Sequence, residues 1–304
     1  MKTDVTFNSS GFRIAGHLYV PDGLGAGKHP AIVVGHPASG VKEQVAGLYA
    51  ERLAEQGFIA LTFDTATQGE SGGLPRGVED PARRVEEFKN AVSFLGLRPE
   101  VDPDRIGVLG VCASGGYVVS AAATDRRIRA VATVSGVDLG TWYRSGADGK
   151  QDPVVIRGLL DAAAAARTAE ARGEGVGMLP IRPANEAEAR AGGPISLDGW
   201  QYYCTDHGRH PRQADELAWT SVDRAAMFEG FRFVDLIAPR PLLMVVGTEA
   251  VTRWMGEDAI KHAQDPKELF WIEGATHVGL YYKPQHVTPA VAKLAGFFRS
   301  NLSA

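Results

Sequence analysis

The 304-residue sequence contains few cysteines and no long hydrophobic run. Cys112 and Cys204 are its two cysteines, and neither CxxC nor mixed Cys/His ligand spacing surrounds them. We therefore expect no disulfide framework and no structural metal site. No apolar stretch reaches the ~20 residues that a membrane-spanning helix needs. Polar residues occupy the N-terminus where a signal peptide would be apolar, so we expect a cytoplasmic protein with no membrane association.

Charge of either sign is also moderate. Charged residues make up 22% of the chain, and the formal net charge is -4, so no basic surface for nucleic acid is predicted. The glycine-rich stretch SGGLPRG does not open a helix and is therefore not a phosphate-binding loop. We expect no cofactor, and a small molecule as the partner. Oligomerisation as a homodimer remains open.

Apolar segments alternate regularly with amphipathic ones in most of the chain. Two alternating segments at the N-terminus are typical of antiparallel strands. The continuous apolar runs that follow are typical of buried strands, and the segments between them have helical periodicity. The runs are PAIVVGH, FIALTFD, RIGVLGV, IRAVATVSG, PRPLLMVVG and KELFWIEG. This pattern predicts an α/β fold with a mostly parallel sheet covered by helices on both faces.

The alternation is lost between Gly140 and about Ala225. We therefore divide the chain into a first core part (1–140), an insertion (141–225) and a second core part (226–304). An insertion that leaves the carboxyl end of a central strand would cover the crevice where such sheets bind ligands, which favours a cap over a mobile surface excursion. Tyr202 and Tyr203 of the insertion are candidate substrate contacts, although such aromatics also pack a cap onto its core.

The segment GVCASGGY joins a predicted strand directly to a predicted helix. A nucleophile flanked by small residues at such a tight turn is typical of a nucleophile elbow. Cys112 as the nucleophile gives a reason for Gly110. Ser114 as the nucleophile requires a strand two residues longer. A third interpretation is a buried cysteine with no chemistry, which is the usual fate of a free cysteine.

The other catalytic groups are expected on loops that follow later strands. In the order nucleophile, acid, histidine, His277 follows the last apolar strand and Glu249 follows the strand before it. A carboxylate there would hold the imidazole in its useful tautomer.

Backbone donors for an oxyanion are expected from two places in the chain. Ala38 lies in the loop VVGHPASG and Ala113 follows Cys112. Pro37 has no N–H and cannot serve. We expect His36 to shape the same loop beside the substrate, and Asp64 of the later FDTATQGESGG loop to be structural.

These segments resemble the dienelactone hydrolase-like branch of the α/β-hydrolase superfamily, whose members can carry cysteine at the elbow. Similar GHPASGVKEQ, FDTATQGESGG and GVCASGGY segments occur in uncharacterised bacterial hydrolases of that branch. The resemblance covers the core but not the insertion. It implies an α/β-hydrolase fold, Cys112 as nucleophile, His277 as base and an acid at or beside Glu249. Many members carry Asp where this chain has Ala250.

A thiol nucleophile restricts the substrates that we expect. A thiolate leaves more easily than an alkoxide, so the tetrahedral intermediate on Cys112 proceeds only when the substrate has a good leaving group. Thioesters, enol lactones and aryl esters meet this condition. We therefore expect a hydrolase that forms an acyl-enzyme on Cys112. The alternatives are an acyltransferase of polyketide or acyl-carrier type, and a noncatalytic protein that binds a small ligand on the same fold.

Overall fold

The computed structural model describes residues 1–303, and its centre is an eight-stranded sheet. Residues 1–303 form ten strands, eight of which belong to this sheet. They are β1 (Lys2–Ser9), β2 (Phe12–Tyr19), β3 (His29–Gly35), β4 (Ile59–Phe63), β5 (Val101–Val111), β6 (Ile128–Val134), β7 (Met178–Pro180), β8 (Glu216–Ala218), β9 (Leu242–Gly247) and β10 (Lys267–Ile272). The sheet order is β1-β2-β4-β3-β5-β6-β9-β10, and β7 pairs only with β8. Strand β2 is antiparallel to β1 and β4, and the other neighbours are parallel. The predicted fold class is confirmed.

Helices cover both faces of this sheet. They are α1 (Val45–Glu55), α2 (Pro81–Gly96), α3 (Ser114–Thr124), α4 (Leu139–Ser145), α5 (Pro153–Ala171), α6 (Glu186–Ala191), α7 (Pro194–Tyr203), α8 (Thr220–Ala226), α9 (Arg253–His262), α10 (Gly279–Tyr282) and α11 (Pro284–Asn301). Helices α2, α3 and α9 share one hydrophobic cluster, and α1 and α11 share the other. Along β3, Val33 joins the first cluster and Val34 the second. This alternation places β3 between two apolar layers.

Helix boundaries follow local sequence signals. Asp80 caps α2 by accepting a hydrogen bond from the backbone N–H of Arg83, and Pro81 occupies the first turn, where its missing N–H costs nothing. Asp138 caps α4 in the same way. This second cap starts α4 shortly after β6, at the carboxyl edge of the sheet.

The segment expected to form a cap, 141–225, contains α5, α6, α7, β7, β8 and most of α4 and α8. Helix α5 is largely exposed, with Ala163 as its buried residue. The segment contacts the loop after β3: Ala214 donates its backbone N–H to the carbonyl of Ser39 (3.1 Å), and Gln44 donates to the carbonyl of Gly208 (2.6 Å). Among residues 1–303, no helix combines the length and apolar character needed to cross a membrane.

Candidate active site

The turn between β5 and α3 has the geometry of a nucleophile elbow. Cys112 has φ of +55°, a left-handed conformation that costs energy for a residue with a side chain. A Cβ atom at Gly110 would overlap the carbonyl oxygen of Ser114, and one at Gly115 would lie 2.5 Å from Cα of Gly136. Glycine is therefore required at both positions for the turn to close.

The two elbow candidates lie in different environments. Cys112 lines a cavity at the carboxyl edge of the sheet. Ser114 is fully buried. Its hydroxyl donates to the carbonyl of His36 (2.5 Å) and accepts a hydrogen bond from the guanidinium of Arg84 (2.8 Å). Ser114 thus links the elbow to the loop after β3, whereas the cavity is open to the thiol of Cys112.

His277 lies on the loop after β10 and lines the same cavity. Its imidazole is buried, with 2% of the residue exposed. Its Nδ1 is 2.7 Å from Oγ1 of Thr252, and its Nε2 is 2.9 Å from the hydroxyl of Tyr281. Hydroxyl groups both donate and accept, so either neutral tautomer is satisfied.

The structure does not bring Glu249 to His277, which corrects the expected acid. The Glu249 side chain is exposed, and within residues 1–303 it forms no hydrogen bond or ion pair with the imidazole. Its backbone N–H donates to the carbonyl of Ala275 (3.0 Å), and Glu249 is not among the residues that line the cavity. The chain then turns back at Thr252, the residue before α9, whose hydroxyl occupies the position expected for the carboxylate.

Tyr281 is a site residue that the sequence reasoning missed. It lies on the short helix α10, four residues after His277, which belongs to the turn just before that helix. Its hydroxyl is hydrogen-bonded to Nε2 of His277, and Tyr281 lines the cavity together with Cys112. The sequence signal was the His-x-x-x-Tyr spacing in HVGLY.

Burial keeps the reacting groups uncharged. It lowers the pKa of His277 from 6.5 to about 3, so the imidazole is neutral at physiological pH. Burial also raises the pKa of the Cys112 thiol, while the Tyr281 hydroxyl, the Ala113 N–H and the charge of Arg182 oppose this rise. The resting site therefore holds a neutral thiol and a neutral imidazole, and no ion pair between them.

The two expected oxyanion donors lie near the elbow. Ala38 lines the cavity beside Cys112, and Ala113 directly follows Cys112 at the start of α3. In the part of the chain that the structure describes, neither N–H is donated to a backbone carbonyl. Arg84 donates to the carbonyl of His36 (2.8 Å) as well as to Ser114. These bonds hold the loop that carries Ala38 against the elbow.

The cavity has a volume of about 440 Å³ and is lined mostly by apolar and aromatic side chains. Residues of the core and of segment 141–225 both line it. The apolar and aromatic lining residues from that segment include Leu159, Ile181, Ile195, Trp200, Tyr203 and Leu217. A cavity of this size and character accommodates a small or medium apolar group.

Two of the three expected substrate contacts lie outside this cavity. His36 is 1% exposed, and its ring faces the backbone N–H of Thr65 (3.4 Å) beneath the loop. Tyr202 packs behind the cavity, with its ring centroid 5.4 Å from that of Tyr281. Tyr203 does line the cavity, under the guanidinium of Arg182 (3.8 Å from the ring centroid). Adjacent positions on α7 point in different directions, which separates Tyr202 from Tyr203.

A group of potential metal ligands lies away from this cavity. His17, Glu43 and Glu70 bring one ligand atom each within 4.8 Å of one another. Lys42 already occupies the space between the carboxylates, with its Nζ 2.8 Å from Glu43 and 2.5 Å from Glu70. Arg212 pairs with the same two carboxylates. Because two cations already neutralise these carboxylates, the group does not suit a metal ion.

Comparison with known proteins gives family and fold matches. The dienelactone hydrolase family profile matches residues 14–171. The uncharacterised protein PA2218 of Pseudomonas aeruginosa is 38% identical over 307 residues, covering 98% of this chain and 80% of that protein. Its crystal structure matches with a TM-score of 0.92 at 34% identity, over 99% of this chain and 94% of that chain.

Two fungal proteins match part of the chain. Thiohydrolase aneE of Aspergillus aculeatus is 39% identical over 124 residues, which are 41% of this chain and 38% of that protein. Polyketide transferase claH of Penicillium crustosum is 36% identical over 124 residues, which are 41% of this chain and 40% of that protein.

Proposed function

Because the chain belongs to the dienelactone hydrolase family and is an ester-cleaving hydrolase, we propose that it cleaves an activated ester, lactone or thioester through an acyl-enzyme on Cys112. In this proposal His277 is the base and Thr252 orients it. The backbone N–H groups of Ala38 and Ala113 stabilise the oxyanion. The observation that carries the proposal is the position of Cys112, whose thiol faces an apolar cavity that His277 also lines.

The reaction proceeds in two steps. The thiol proton passes to His277 as the sulfur attacks the acyl carbon, and the oxyanion accepts hydrogen bonds from the two backbone donors. The leaving group departs with the proton that the imidazole holds. In the second step water replaces the leaving group, attacks the acyl-Cys112 with His277 as base, and releases the carboxylic acid.

The site favours substrates with a good leaving group and an apolar acyl part. The neutral resting thiol has no preformed thiolate, so the acyl carbon must be reactive. The cavity lining offers apolar contact to the acyl chain. The match to a fungal thiohydrolase supports thioesters within this class.

Cys112→Ala tests the proposal with a p-nitrophenyl ester and a short-chain acyl thioester. We expect the variant to lose turnover by about 10⁴-fold or more, since it lacks the nucleophile. Cys204→Ala is the matched control, because it removes the other thiol without touching the cavity. Retention of turnover by Cys112→Ala would contradict the proposal.

Acyl transfer is a second candidate for the same intermediate. It is supported by the match to a polyketide transferase and by the apolar cavity lining from segment 141–225, which offers contact to an acyl chain or an acceptor. Product analysis with competing alcohols, amines and water distinguishes the two outcomes. An acyl ester or amide formed at a low concentration of the alcohol or amine indicates a transferase. Free carboxylic acid as the only product indicates a hydrolase. Membership of an ester-cleaving family argues against the third alternative, a noncatalytic binding protein.

A further inference from the structure

We propose that Tyr281 is a catalytic residue that carries the proton between the thiol of Cys112 and the imidazole of His277. The inference rests on the proposed function, because it concerns activation of the same thiol. Both nitrogens of His277 have hydroxyl partners: Nδ1 lies 2.7 Å from Oγ1 of Thr252, and Nε2 lies 2.9 Å from the hydroxyl of Tyr281. Of these two partners, Tyr281 lines the cavity together with Cys112. No hydrogen bond joins the thiol directly to the imidazole in residues 1–303.

Three contacts hold α10 and the Tyr281 ring in place. The backbone N–H of Val278 donates to Asp198 of the insertion (2.8 Å), and the hydroxyl of Tyr49 on α1 donates to the carbonyl of Leu280 (2.9 Å). The ring of Tyr281 packs edge-to-face against Tyr202. Core and insertion together therefore fix the position of the phenol, as a proton carrier requires.

The proton transfers balance with the phenol neutral before and after each step. As sulfur attacks, the S–H proton moves to the Tyr281 oxygen while the phenol proton moves to Nε2 of His277. The Nδ1–H remains hydrogen-bonded to Oγ1 of Thr252. When the leaving group departs, the imidazolium returns a proton to the phenol oxygen and the phenol gives its own proton to the leaving atom. Burial keeps the pKa of Tyr281 well above its ordinary value, so a free phenolate does not accumulate.

Tyr281→Phe tests this role because it removes the hydroxyl and keeps the ring. We expect kcat to fall by about 10²-fold, within the range for loss of acid–base assistance. We also expect alkylation of Cys112 by iodoacetamide to shift to higher pH, a change that loss of packing alone would not cause. Tyr202→Phe is the matched control, since its ring belongs to the same cluster but lies outside the cavity. It should leave both readouts unchanged.

A measurement on the wild-type protein avoids any folding defect of the variant. The turnover rate is measured in mixtures of H₂O and D₂O and plotted against the fraction of deuterium in the solvent. The plot should be curved, because two protons move in the same step. A straight line would overturn the proposal, as would unchanged kcat and alkylation profile in Tyr281→Phe. Failure of the proposed function has a different signature, which is turnover by Cys112→Ala regardless of Tyr281.

Discussion

Ser114→Ala separates a structural serine from a catalytic one at the elbow. The change removes a hydroxyl that donates to the carbonyl of His36 (2.5 Å) and accepts from Arg84 (2.8 Å). Ser114 is 0% exposed, so water does not replace these bonds. The carbonyl of His36 keeps its hydrogen bond from Arg84 (2.8 Å), and the guanidinium keeps that partner. The substitution therefore removes only the two hydrogen bonds of the Ser114 hydroxyl, one of which involves the charged guanidinium of Arg84.

The expected cost is about 2 kcal/mol of the free energy of unfolding, which is typical of a hydrogen bond to a charged group. The melting temperature should fall by a few degrees. Because the bond holds the loop of Ala38, we also expect kcat to fall by about tenfold, well below the 10²–10³-fold cost of losing an oxyanion donor outright.

Thermal unfolding and ester turnover of Ser114→Ala are compared with those of Cys112→Ala. We expect Ser114→Ala to lose stability and to keep about a tenth of its activity, and Cys112→Ala to lose its activity by about 10⁴-fold or more. The reasoning is refuted if Ser114→Ala unfolds like the wild type but loses turnover to the level of Cys112→Ala. That result would make Ser114 the nucleophile.

Two further predictions concern His277 and a buried carboxyl group. Thr252→Val should lower kcat by about tenfold, because it removes the hydrogen-bond partner of His277 Nδ1. The control Glu249→Gln should change kcat by less than about twofold. A larger loss of kcat in Glu249→Gln than in Thr252→Val, measured by steady-state kinetics, would restore Glu249 as the acid. Burial raises the pKa of Glu87 from 4.5 to about 7, so folding favours its protonated form. Relative to Glu87→Gln, the wild type should lose up to about 3 kcal/mol as the pH rises from 4.5 through 7, and parallel urea-unfolding curves across this range would contradict that assignment.

The alternation of strands and helices was predictable because the sequence signals for each element are local. Apolar runs such as PAIVVGH and RIGVLGV are too hydrophobic for surface segments, and each is followed by a segment of helical periodicity. Gly110 and Gly115 mark the elbow for a steric reason that holds in the structure, since side chains at either position would collide with the turn. Such constraints act within a few residues and can be read from one chain.

The partners of His277 were not predictable in the same way, because they depend on the path of two loops. The position of Thr252 follows from the turn after β9, where Glu249 is directed outward. Because threonine has no carboxylate, its residue type does not suggest the partner of a catalytic histidine. His36 has the residue type of a binding group, but the end of β3 directs its ring toward Thr65. Tyr202 and Tyr203 differ only in the face of α7 that they occupy.

The central claim is that the sulfur of Cys112 carries the acyl group, and trapping that intermediate tests it most directly. The protein is exposed briefly to p-nitrophenyl acetate or a short acyl thioester and quenched in acid. Its intact mass is then measured and its peptides are mapped. We expect one added acyl group per chain, on the peptide that contains Cys112, and none in Cys112→Ala. An acyl group on Ser114 would contradict the account. So would turnover with no adduct on Cys112 when the reaction is quenched in acid during its first turnovers.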